Sequence, residues 1–506
     1  MLILKFIKTY LHIFLRGLQY LYLWALYMEE KYEAVIGLEV HVQLLSHTKI
    51  FCNDSTSFGA APNTHINPYT LALPGVLPVM NDQVMDMAIK LGLACGSTIT
   101  IVNHFARKNY FYPDLPKGYQ ITQDKTPIIV GGALAIKVKD KEQKIPLHHA
   151  HLEEDAGKNN HELDPDFSLI DLNRAGMPLL EVVTEPAIHN SDEAYQFLTE
   201  LRRLVRYLEI CDGNMEEGSM RCDANVSIRK IGETCLNTRV ELKNMNSIRN
   251  VKKAIDVEIQ RQIDLVESGG AVIQQTRGYN PSDGTSTPQR SKEHAHDYRY
   301  FPEPDLPPYI VIPEKIDHIR RSMPTLPYQW YDKFTLEYGL SNYDASVLID
   351  EKAVALYFDT LCLHTKNYKA AANWVLGDIK AYTNEHNISI QHYGIAPEKM
   401  AEIIALTDEN LISSTGAKKI FEVLLQNPDL EAFSIAKELN ILQSTDNTEL
   451  EKWANEVLAK FPDKVQEYRK GKKGLIGLFM GELMRVSGGK ADPKKSTKVL
   501  EELLKT

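Results

Sequence analysis

Residues 36–43, which read Ile-Gly-Leu-Glu-Val-His-Val-Gln, alternate apolar and polar side chains with a period of two. A β-strand points successive side chains to opposite faces, so this pattern is typical of a strand with one buried face. Leu38, Val40 and Val42 would then pack into a core, while Glu39 and His41 would lie together on the other face. A polar face of this kind either meets solvent or lines a site, and the rest of the chain must distinguish the two.

A second alternating stretch runs from Met220 to Ile228. Its even-numbered residues are apolar or small, while Arg221, Asp223 and Asn225 share the opposite face. The region from Tyr32 to about residue 190 reads as short strands and long loops punctuated by Pro and Gly. Helical spacing begins with residues 82–93, capped by Asp82, and with a long helix from Ser191. The N-terminal half is therefore predicted to be β-rich structure with a few helices.

From about residue 325 the apolar spacing becomes helical and stays so. A chain of 506 residues is too long for one core. We predict a catalytic domain at 29–324, a helical domain at 325–440 and a small helical tail domain at 441–506. Residues 1–28 are basic and apolar, but their longest uncharged run is shorter than a membrane span. We interpret them as an extension with no role in the fold, because Met28 looks like the start of a soluble protein.

Composition and charge favour a soluble protein with a polyanionic partner. The six cysteines are scattered and form no C-x-x-C pair, which is typical of a reduced, cytoplasmic protein with no disulfide framework. The formal net charge is −10, yet residues 460–506 hold 12 basic and 6 acidic side chains. This tail suits nucleic acid, although a solvated helical face would have the same composition.

Carboxylates and imidazoles recur where the usual catalytic signatures are missing. The chain has no phosphate-binding glycine loop, no H-E-x-x-H and no nucleophile elbow. Instead, residues 147–158 contain three histidines followed by Glu153, Glu154 and Asp155, and Glu181 follows later. Hard oxygen ligands favour Mg²⁺ over softer metals. We predict a metal site formed by Glu39, His41, Glu154 and Glu181, with Glu153 as an alternative to Glu154; each acid taken singly is more often a solvated surface group.

The loop predicted from Thr276 to Pro308 is long, and loops of that length are usually functional or disordered. Its end, from Tyr298 to Pro308, is aromatic and stiffened by proline, which favours a functional loop. Arg290 and Arg299 lie within it.

Five segments, at 36–41, 107–120, 151–158, 221–227 and 297–308, together resemble the GatB family, the B subunits of bacterial-type aspartyl/glutamyl-tRNA amidotransferases. The likeness extends from about residue 32 to the C-terminus. It implies an α+β fold with an antiparallel-sheet cradle of the glutamine synthetase type, followed by helical domains that hold tRNA. It also implies a ligase that uses ATP and Mg²⁺ to activate the side-chain carboxylate of Glu-tRNA(Gln) or Asp-tRNA(Asn) for amidation.

The resemblance assigns roles to particular residues. Lys108 corresponds to an active-site lysine, and Glu154 and Glu181 to catalytic acids that bind Mg²⁺. Weaker matches suggest nucleotide-binding roles for a further set of residues, namely Arg221, Asp223, Arg290 and Arg299.

The same resemblance implies partners and one departure. Ammonia would come from an amidase-type A subunit that hydrolyses glutamine, with a small C subunit completing a heterotrimer. Many family members bind Zn²⁺ through two cysteine pairs in the segment corresponding to residues 51–70. This chain has Cys52, Asp54, Asn67 and Thr70 there, which is not a structural zinc set, so we expect no zinc.

Two other functions remain open from the residues alone. The chain could be a non-catalytic tRNA-binding scaffold, in which the acids are solvated and only the tail acts. It could also be a stand-alone Mg²⁺-dependent ligase of a small carboxylate. ATP hydrolysis that requires both Mg²⁺ and misacylated tRNA would distinguish the amidotransferase from both.

Overall fold

The computed structural model describes residues 31–139, 141–160, 164, 166–291, 297–443 and 447–505. The predicted extension at 1–28, and Met28 with it, lies outside the described residues. The chain divides into two compact units between Leu326 and Pro327. No helix in the described ranges is long and apolar enough to cross a membrane.

The first unit is built on a sheet of 13 strands, with two further two-stranded sheets. The strands of this unit, numbered in chain order, are β1 Tyr32–Gln43, β2 Thr98–Ile99, β3 Val102–Asn103, β4 Ala106–Asn109, β5 Tyr119–Thr122, β6 Ile129–Val130, β7 Ala133–Val138, β8 Lys141–Glu154, β9 Lys158–Asn160, β10 Leu169–Asp171, β11 Pro178–Thr184, β12 Met220–Lys230, β13 Val240–Lys243, β14 Gln275–Asn280, β15 Thr285–Ser291, β16 Phe301–Pro302 and β17 Tyr309–Ile310.

Strand β1 lies in the middle of the large sheet, antiparallel to β12 on one side and to β11 on the other. Beyond β11 come β8, β5, β4 and β16, and beyond β12 come β13, β14 and β15. Only the β13–β14 pair is parallel among these described strands. The predicted alternation is confirmed, because Leu38, Val40 and Val42 are fully buried in the core. The predicted α+β class with an antiparallel sheet is confirmed as well.

The described residues of this unit form four helices: α1 Asp82–Ala94, α2 Ser191–Tyr207, α3 Ile248–Glu267 and α4 Pro313–Arg321. Helices α2 and α3 pack against each other, and the apolar side chains of α2 are buried in the same core as those of β1. The sheet therefore has one face covered by helices. Its other face carries the polar side chains of β1 and β12.

Two predicted helix caps are displaced by one residue. The side chain of Asn81, rather than that of Asp82, accepts a hydrogen bond from the amide of Gln83 in α1, and the side chain of Asn190, rather than that of Ser191, accepts from the amide of Glu193 in α2. Asparagine caps an N-terminus as well as Ser or Asp does, and the apolar period alone does not locate the cap to one residue.

The long loop predicted at 276–308 is in part regular structure. Strands β14 and β15 form an antiparallel hairpin whose turn contains Gly284 with φ = 70°. Both strands are rich in Thr, Ser, Gln and Arg and lack an apolar alternation. Sequence periodicity therefore gives no sign of them. The backbone of β14 is held by pairing with β13, and that of β15 by pairing with β14.

The second unit is entirely helical over its described residues. Its helices are α5 Pro327–Asp332, α6 Asn342–Leu348, α7 Lys352–His364, α8 Tyr368–Trp374, α9 Lys380–Glu385, α10 Pro397–Asp408, α11 Ser414–Gln426, α12 Ala432–Glu438, α13 Asn447–Lys460, α14 Pro462–Arg469, α15 Ile476–Val486 and α16 Pro493–Lys505, with π-helical turns at Lys333–Glu337 and Val375–Ile379.

Within this unit, helices α13 to α16 have a hydrophobic core of their own, built around Leu450, Phe479 and Leu500. The backbone amide of Gln443 donates to the carbonyl of Leu411 at 2.7 Å. Residues up to 443 are thus still bonded to the preceding helices. The predicted tail domain at 441–506 stays a prediction, but its packed part begins with α13.

Candidate active site

A row of four polar side chains crosses four neighbouring strands of the large sheet. His151 on β8 lies opposite Glu181 on β11, Glu181 lies opposite His41 on β1, and His41 lies opposite Arg221 on β12. Directly opposed residues of antiparallel strands share a face. Pairing of the strands therefore brings together side chains that are far apart in the chain.

Two acids and two imidazoles of this face meet in one group, which we name the acid–imidazole cluster: His41, His151, Glu153 and Glu181. Nε2 of His41 lies 3.3 Å from Glu181 Oε2 and 3.5 Å from Glu153 Oε1. Nε2 of His151 lies 3.5 Å from the same Glu181 oxygen and 3.7 Å from Glu153 Oε2. One ligand atom each of His41, Glu153 and Glu181 lies within 4.8 Å of the other two.

The members of the acid–imidazole cluster shift one another's pKa values. Burial acts to lower the pKa of His41, but hydrogen bonds and the charges of Glu153 and Glu181 outweigh it and raise that pKa to about 10. Burial acts to raise the pKa of Glu153, and the two imidazoles reverse this and lower it below the usual range. The two carboxylates are thus held ionised at neutral pH around a positive centre.

Glu154 lies elsewhere, and the predicted ligand set is corrected at this position. Adjacent residues of β8 point to opposite faces, so Glu153 faces the cluster while Glu154 points away from it. Glu154 is buried, forms an ion pair with Lys117 and accepts the backbone amide of Ile121 at 2.8 Å. Its carboxylate already has partners within the protein.

Glu39 lies on the polar face of β1, two residues from His41, but is not one of the three residues within 4.8 Å of one another. It accepts a hydrogen bond of 2.8 Å from Nδ2 of Asn225. Burial, followed by the charges of Glu181 and Asp223, raises the pKa of Glu39. Glu39 therefore lies beside the cluster, on the same face of β1 as His41.

Lys108, on β4, lines the cleft that His41 and Glu153 also line. Burial acts to lower its pKa, but the charges of Glu153 and Glu181 prevail and raise it. Its ammonium group also lies 5.0 Å from the ring centroid of Tyr298. The predicted active-site lysine therefore lines the same cleft as two members of the acid–imidazole cluster.

The remaining predicted residues differ in where they lie relative to the acid–imidazole cluster. Arg221 donates to Asp155 Oδ2 at 2.8 Å, and Asp223 pairs with Lys243. Arg290 lies on β15, opposite Thr276 and at the far side of the sheet from β8. Arg299 is exposed and has a left-handed backbone with φ = 44°.

A cleft of about 1190 Å³ opens over this face of the sheet. It is larger than the ~300–1,000 Å³ of a usual small-molecule pocket. Five cationic side chains line it, namely Lys108, Lys158, Arg174, Arg221 and Lys243, together with acidic ones that include Glu153, Asp155 and Asp223. The cations suit phosphate oxygens, and the carboxylates suit a divalent cation that accompanies them.

The donor set at the centre of the cleft fits Mg²⁺. Protein sites for Mg²⁺ supply one or two carboxylates and leave coordination positions for water and phosphate. Glu153 and Glu181 would supply the carboxylate oxygens and His41 an imidazole nitrogen. The cleft has room for the remaining ligands.

Of the four positions at which we expect no zinc, Cys52, Asp54 and Thr70 come together. Asp54 accepts from the Thr70 hydroxyl, while Cys52 Sγ lies 3.6 Å from Asp54 Oδ2 and 3.7 Å from Thr70 Oγ1. Lys49, which is completely buried, lies 3.8 Å from Asp54. We name Lys49, Cys52, Asp54 and Thr70 the lysine cluster. Asn67 holds the same loop by accepting the amides of Tyr69 and Thr70.

The ammonium group of Lys49 is well provided with acceptors. It donates to the carbonyl of His65 at 2.8 Å and to that of Leu172 at 3.3 Å. Burial lowers the pKa of Lys49, and Asp54 opposes this shift. An ammonium group thus joins the loop of residues 52–70 to the segment that leads into β11.

Sequence reasoning misses one member of the acid–imidazole cluster, His151, and leaves a second, Glu153, only as an alternative to Glu154. It shows His151 only as part of a run, and it does not separate Glu153 from Glu154. A signal is present, because His149, His151 and Glu153 have the same parity on one strand and must share a face.

Family comparisons agree with this architecture. A model described as the GatB/GatE catalytic domain matches residues 34–317, and one described as the GatB domain matches residues 356–504. The first match covers the sheet and all four of its site strands. The second covers most of the helical unit.

Curated relatives match nearly the whole chain. The proteins of Syntrophotalea carbinolica, Trichlorobacter lovleyi and Thermodesulfovibrio yellowstonii, each named as the B subunit of an aspartyl/glutamyl-tRNA(Asn/Gln) amidotransferase, are 48%, 47% and 44% identical to it. Each alignment covers 94% of this chain and 99% or more of the relative. With both family models matched in chain order, this chain belongs to the GatB family of amidotransferase B subunits.

Proposed function

We propose that this chain is the B subunit of a tRNA-dependent amidotransferase that converts Glu-tRNA(Gln), Asp-tRNA(Asn) or both to their amides. The observation that carries the proposal is the convergence of His41, Glu153 and Glu181, of which His41 and Glu153 line one cleft together with Lys108. Two carboxylates whose ion-pair partners are imidazoles are suited to hold a divalent ion, because an imidazole can give up its proton when the ion binds.

The reaction requires activation of a poor electrophile. An oxygen of the amino acid's side-chain carboxylate attacks the γ-phosphorus of ATP, the bond to the β-phosphate oxygen breaks, and ADP leaves. Ammonia then attacks the carbonyl carbon of the acyl phosphate, and inorganic phosphate leaves as the amide forms. Both steps depend mainly on positioning and on neutralising charge on phosphate oxygens.

The side chains of the cleft divide these tasks. Glu153, Glu181 and His41 would hold Mg²⁺, which, when bound, neutralises phosphate oxygens of ATP. The Lys108 ammonium would neutralise the transferred phosphoryl group or the carboxylate that attacks it. Arg221 and Lys243 line the cleft and are held in place by Asp155 and Asp223, so they are candidate phosphate contacts.

The proposal includes partners. We propose that an amidase-type A subunit supplies ammonia from glutamine and that a small C subunit completes the complex. The relatives' names, which describe each of them as one lettered subunit of an enzyme, support an assembly of several chains. The reduced cysteines and the translation substrate favour the cytoplasm.

The decisive experiment measures ATP hydrolysis by the assembled subunits. We expect hydrolysis to require both Mg²⁺ and misacylated tRNA, and to be coupled to amide formation when glutamine is present. A tRNA-binding scaffold would hydrolyse no ATP, and a small-molecule ligase would not require tRNA. Either result would overturn the proposal.

The basic tail is proposed to bind the tRNA. Helices α13 to α16 pack around their own core, so deleting residues 447–506 removes a complete packed element. We expect weaker tRNA binding and a shallower dependence of affinity on salt, because each lost phosphate contact reduces that slope. Unchanged affinity and slope, measured by filter binding, would assign tRNA recognition to other residues.

A further inference from the structure

Three tyrosines form a ladder of rings beside the cleft, and no step above uses them. The ring centroids of Tyr110 and Tyr298 are 6.1 Å apart with planes at 74°, and those of Tyr298 and Tyr300 are 6.1 Å apart at 69°. We name Tyr110, Tyr298 and Tyr300 the tyrosine ladder. Tyr110 lines the cleft, and Tyr300 remains 43% exposed.

The ladder is joined to the acid–imidazole cluster by one side chain. The Lys108 ammonium lies over the ring of Tyr298 at 5.0 Å and is also within the field of Glu153 and Glu181. Lys108 also influences Tyr300, where burial raises the pKa of the phenol and the ammonium opposes the shift. A ligand whose phosphates lie at Lys108 would therefore have its next group beside these rings.

The backbone that carries the ladder is held in a strained conformation. Arg299, between the two later tyrosines, has φ = 44°, a left-handed conformation that a residue other than glycine rarely adopts. The side-chain amide of Asn109 donates to the carbonyls of Tyr298 at 3.1 Å and Arg299 at 2.8 Å. The backbone amide of Asn109 also donates to the Tyr298 carbonyl at 2.9 Å. These bonds fix the tyrosines against β4.

Packing alone does not explain this arrangement. Edge-to-face rings do stabilise a protein core, but Tyr300 is too exposed to serve that purpose. The clamp by Asn109 keeps Tyr298 and the exposed Tyr300 in place, with the Lys108 ammonium over the Tyr298 ring beside the cleft. Exposed aromatic faces next to cations are the features with which proteins bind unpaired nucleotide bases.

We propose that the tyrosine ladder binds an unpaired nucleotide base by stacking, with the attached phosphate directed toward Lys108. This inference rests on the proposed function. The base has two sources in that reaction, the adenine of ATP and the unpaired 3′ end of the tRNA. Both present the same chemistry, a planar base linked to phosphate, and kinetics separates them.

The experiment uses the assembled amidotransferase with Tyr300→Ala. Loss of one stacking partner is expected to raise the KM for either ATP or misacylated tRNA by about 5- to 100-fold, with a smaller change in kcat. Tyr300→Phe keeps the ring and is expected to keep both KM values. The matched control is Phe111→Ala, because Phe111 is a neighbouring aromatic that is 85% exposed and lies outside the ladder.

The outcomes separate the sources and the proposals. A higher KM for ATP identifies the nucleotide as the stacked ligand, and a higher KM for tRNA identifies its 3′ end. Unchanged KM values in Tyr300→Ala, or a rise that Tyr300→Phe or Phe111→Ala shares, would overturn the ladder while wild-type activity still upholds the proposed function. Tyr298→Ala, checked for an unchanged unfolding temperature, repeats the test at the ring beneath Lys108.

Discussion

The acid–imidazole cluster and the lysine cluster both gather charged groups inside the first unit, but they differ in electrostatic balance. In the lysine cluster, one buried ammonium meets a carboxylate and two backbone carbonyls, so its polar groups are satisfied within the protein. In the acid–imidazole cluster, the ion pairs of the described residues give Glu153 and Glu181 imidazole partners only. A functional site differs from a structural clamp in that its charged groups lie beside a cleft and lack a full set of oppositely charged partners in the protein. Burial or charge alone does not separate the two.

The largest expected effect is on activity. Glu181→Gln and Glu153→Gln each remove one of the two carboxylates that would hold Mg²⁺. We expect the rate of tRNA amidation to fall by about 10³-fold or more, the range typical of a charge-stabilising group in phosphoryl transfer. Rates measured with saturating ATP and misacylated tRNA test this, and circular dichroism checks the fold. Retention of most activity in either variant would remove that acid from the site.

The next effect is on stability and concerns the other cluster. Lys49→Met leaves Asp54 and two carbonyls without their buried cationic partner. We expect the free energy of unfolding to fall by about 3 kcal/mol, since unpaired buried polar groups cost of this order. Urea denaturation measures it, with the exposed Lys125→Met as the control. A loss equal to that of the control would mean that the lysine cluster is not a clamp.

A smaller effect is expected at the residue next to Glu153. Glu154→Gln weakens the pair with Lys117 but keeps an oxygen to accept the amide of Ile121. We expect a loss of about 1–2 kcal/mol in unfolding free energy, as for a hydrogen bond to a charged group. The Mg²⁺ concentration needed for half-maximal activity should stay unchanged. A marked increase in that concentration would return Glu154 to the metal site.

The smallest expected effect is that of chelation on stability. EDTA should abolish activity, which added Mg²⁺ then restores, but it should leave the unfolding temperature unchanged. The reason is that hydrogen bonds and Lys49 already join Cys52, Asp54 and Thr70. Metal analysis that finds one zinc per chain, or a lower unfolding temperature in a zinc chelator, would contradict this prediction.

The sequence predicts the central strands because their side-chain period is unambiguous. Burial of Leu38, Val40 and Val42 follows from alternation alone, as does the polar face that carries His41 and Arg221. The meeting of His41 with Glu181 and His151 does not follow in this way, because it depends on which strands pair and in which register. Only the family resemblance suggests that these distant segments converge.

The choice between Glu153 and Glu154 shows a second reason why the sequence alone does not predict the site. Counting parity from His151 along β8 selects Glu153, but this requires knowing that the strand continues unbroken to Glu154. The hairpin at β14 and β15 escapes prediction because its polar strands have no apolar period. A tertiary contact, the pairing of β14 with β13, holds the hairpin in the sheet.

The row of His151, Glu181 and His41 across β8, β11 and β1 has a consequence for how this chain can change in length. A one-residue insertion or deletion inside any of these strands reverses the facing of every side chain beyond it. Glu181, for example, would turn into the core and Leu180 into the cleft. Insertions and deletions among related chains should therefore be confined to the connections between these strands. The three strands can then serve as reference segments when distant homologues are aligned.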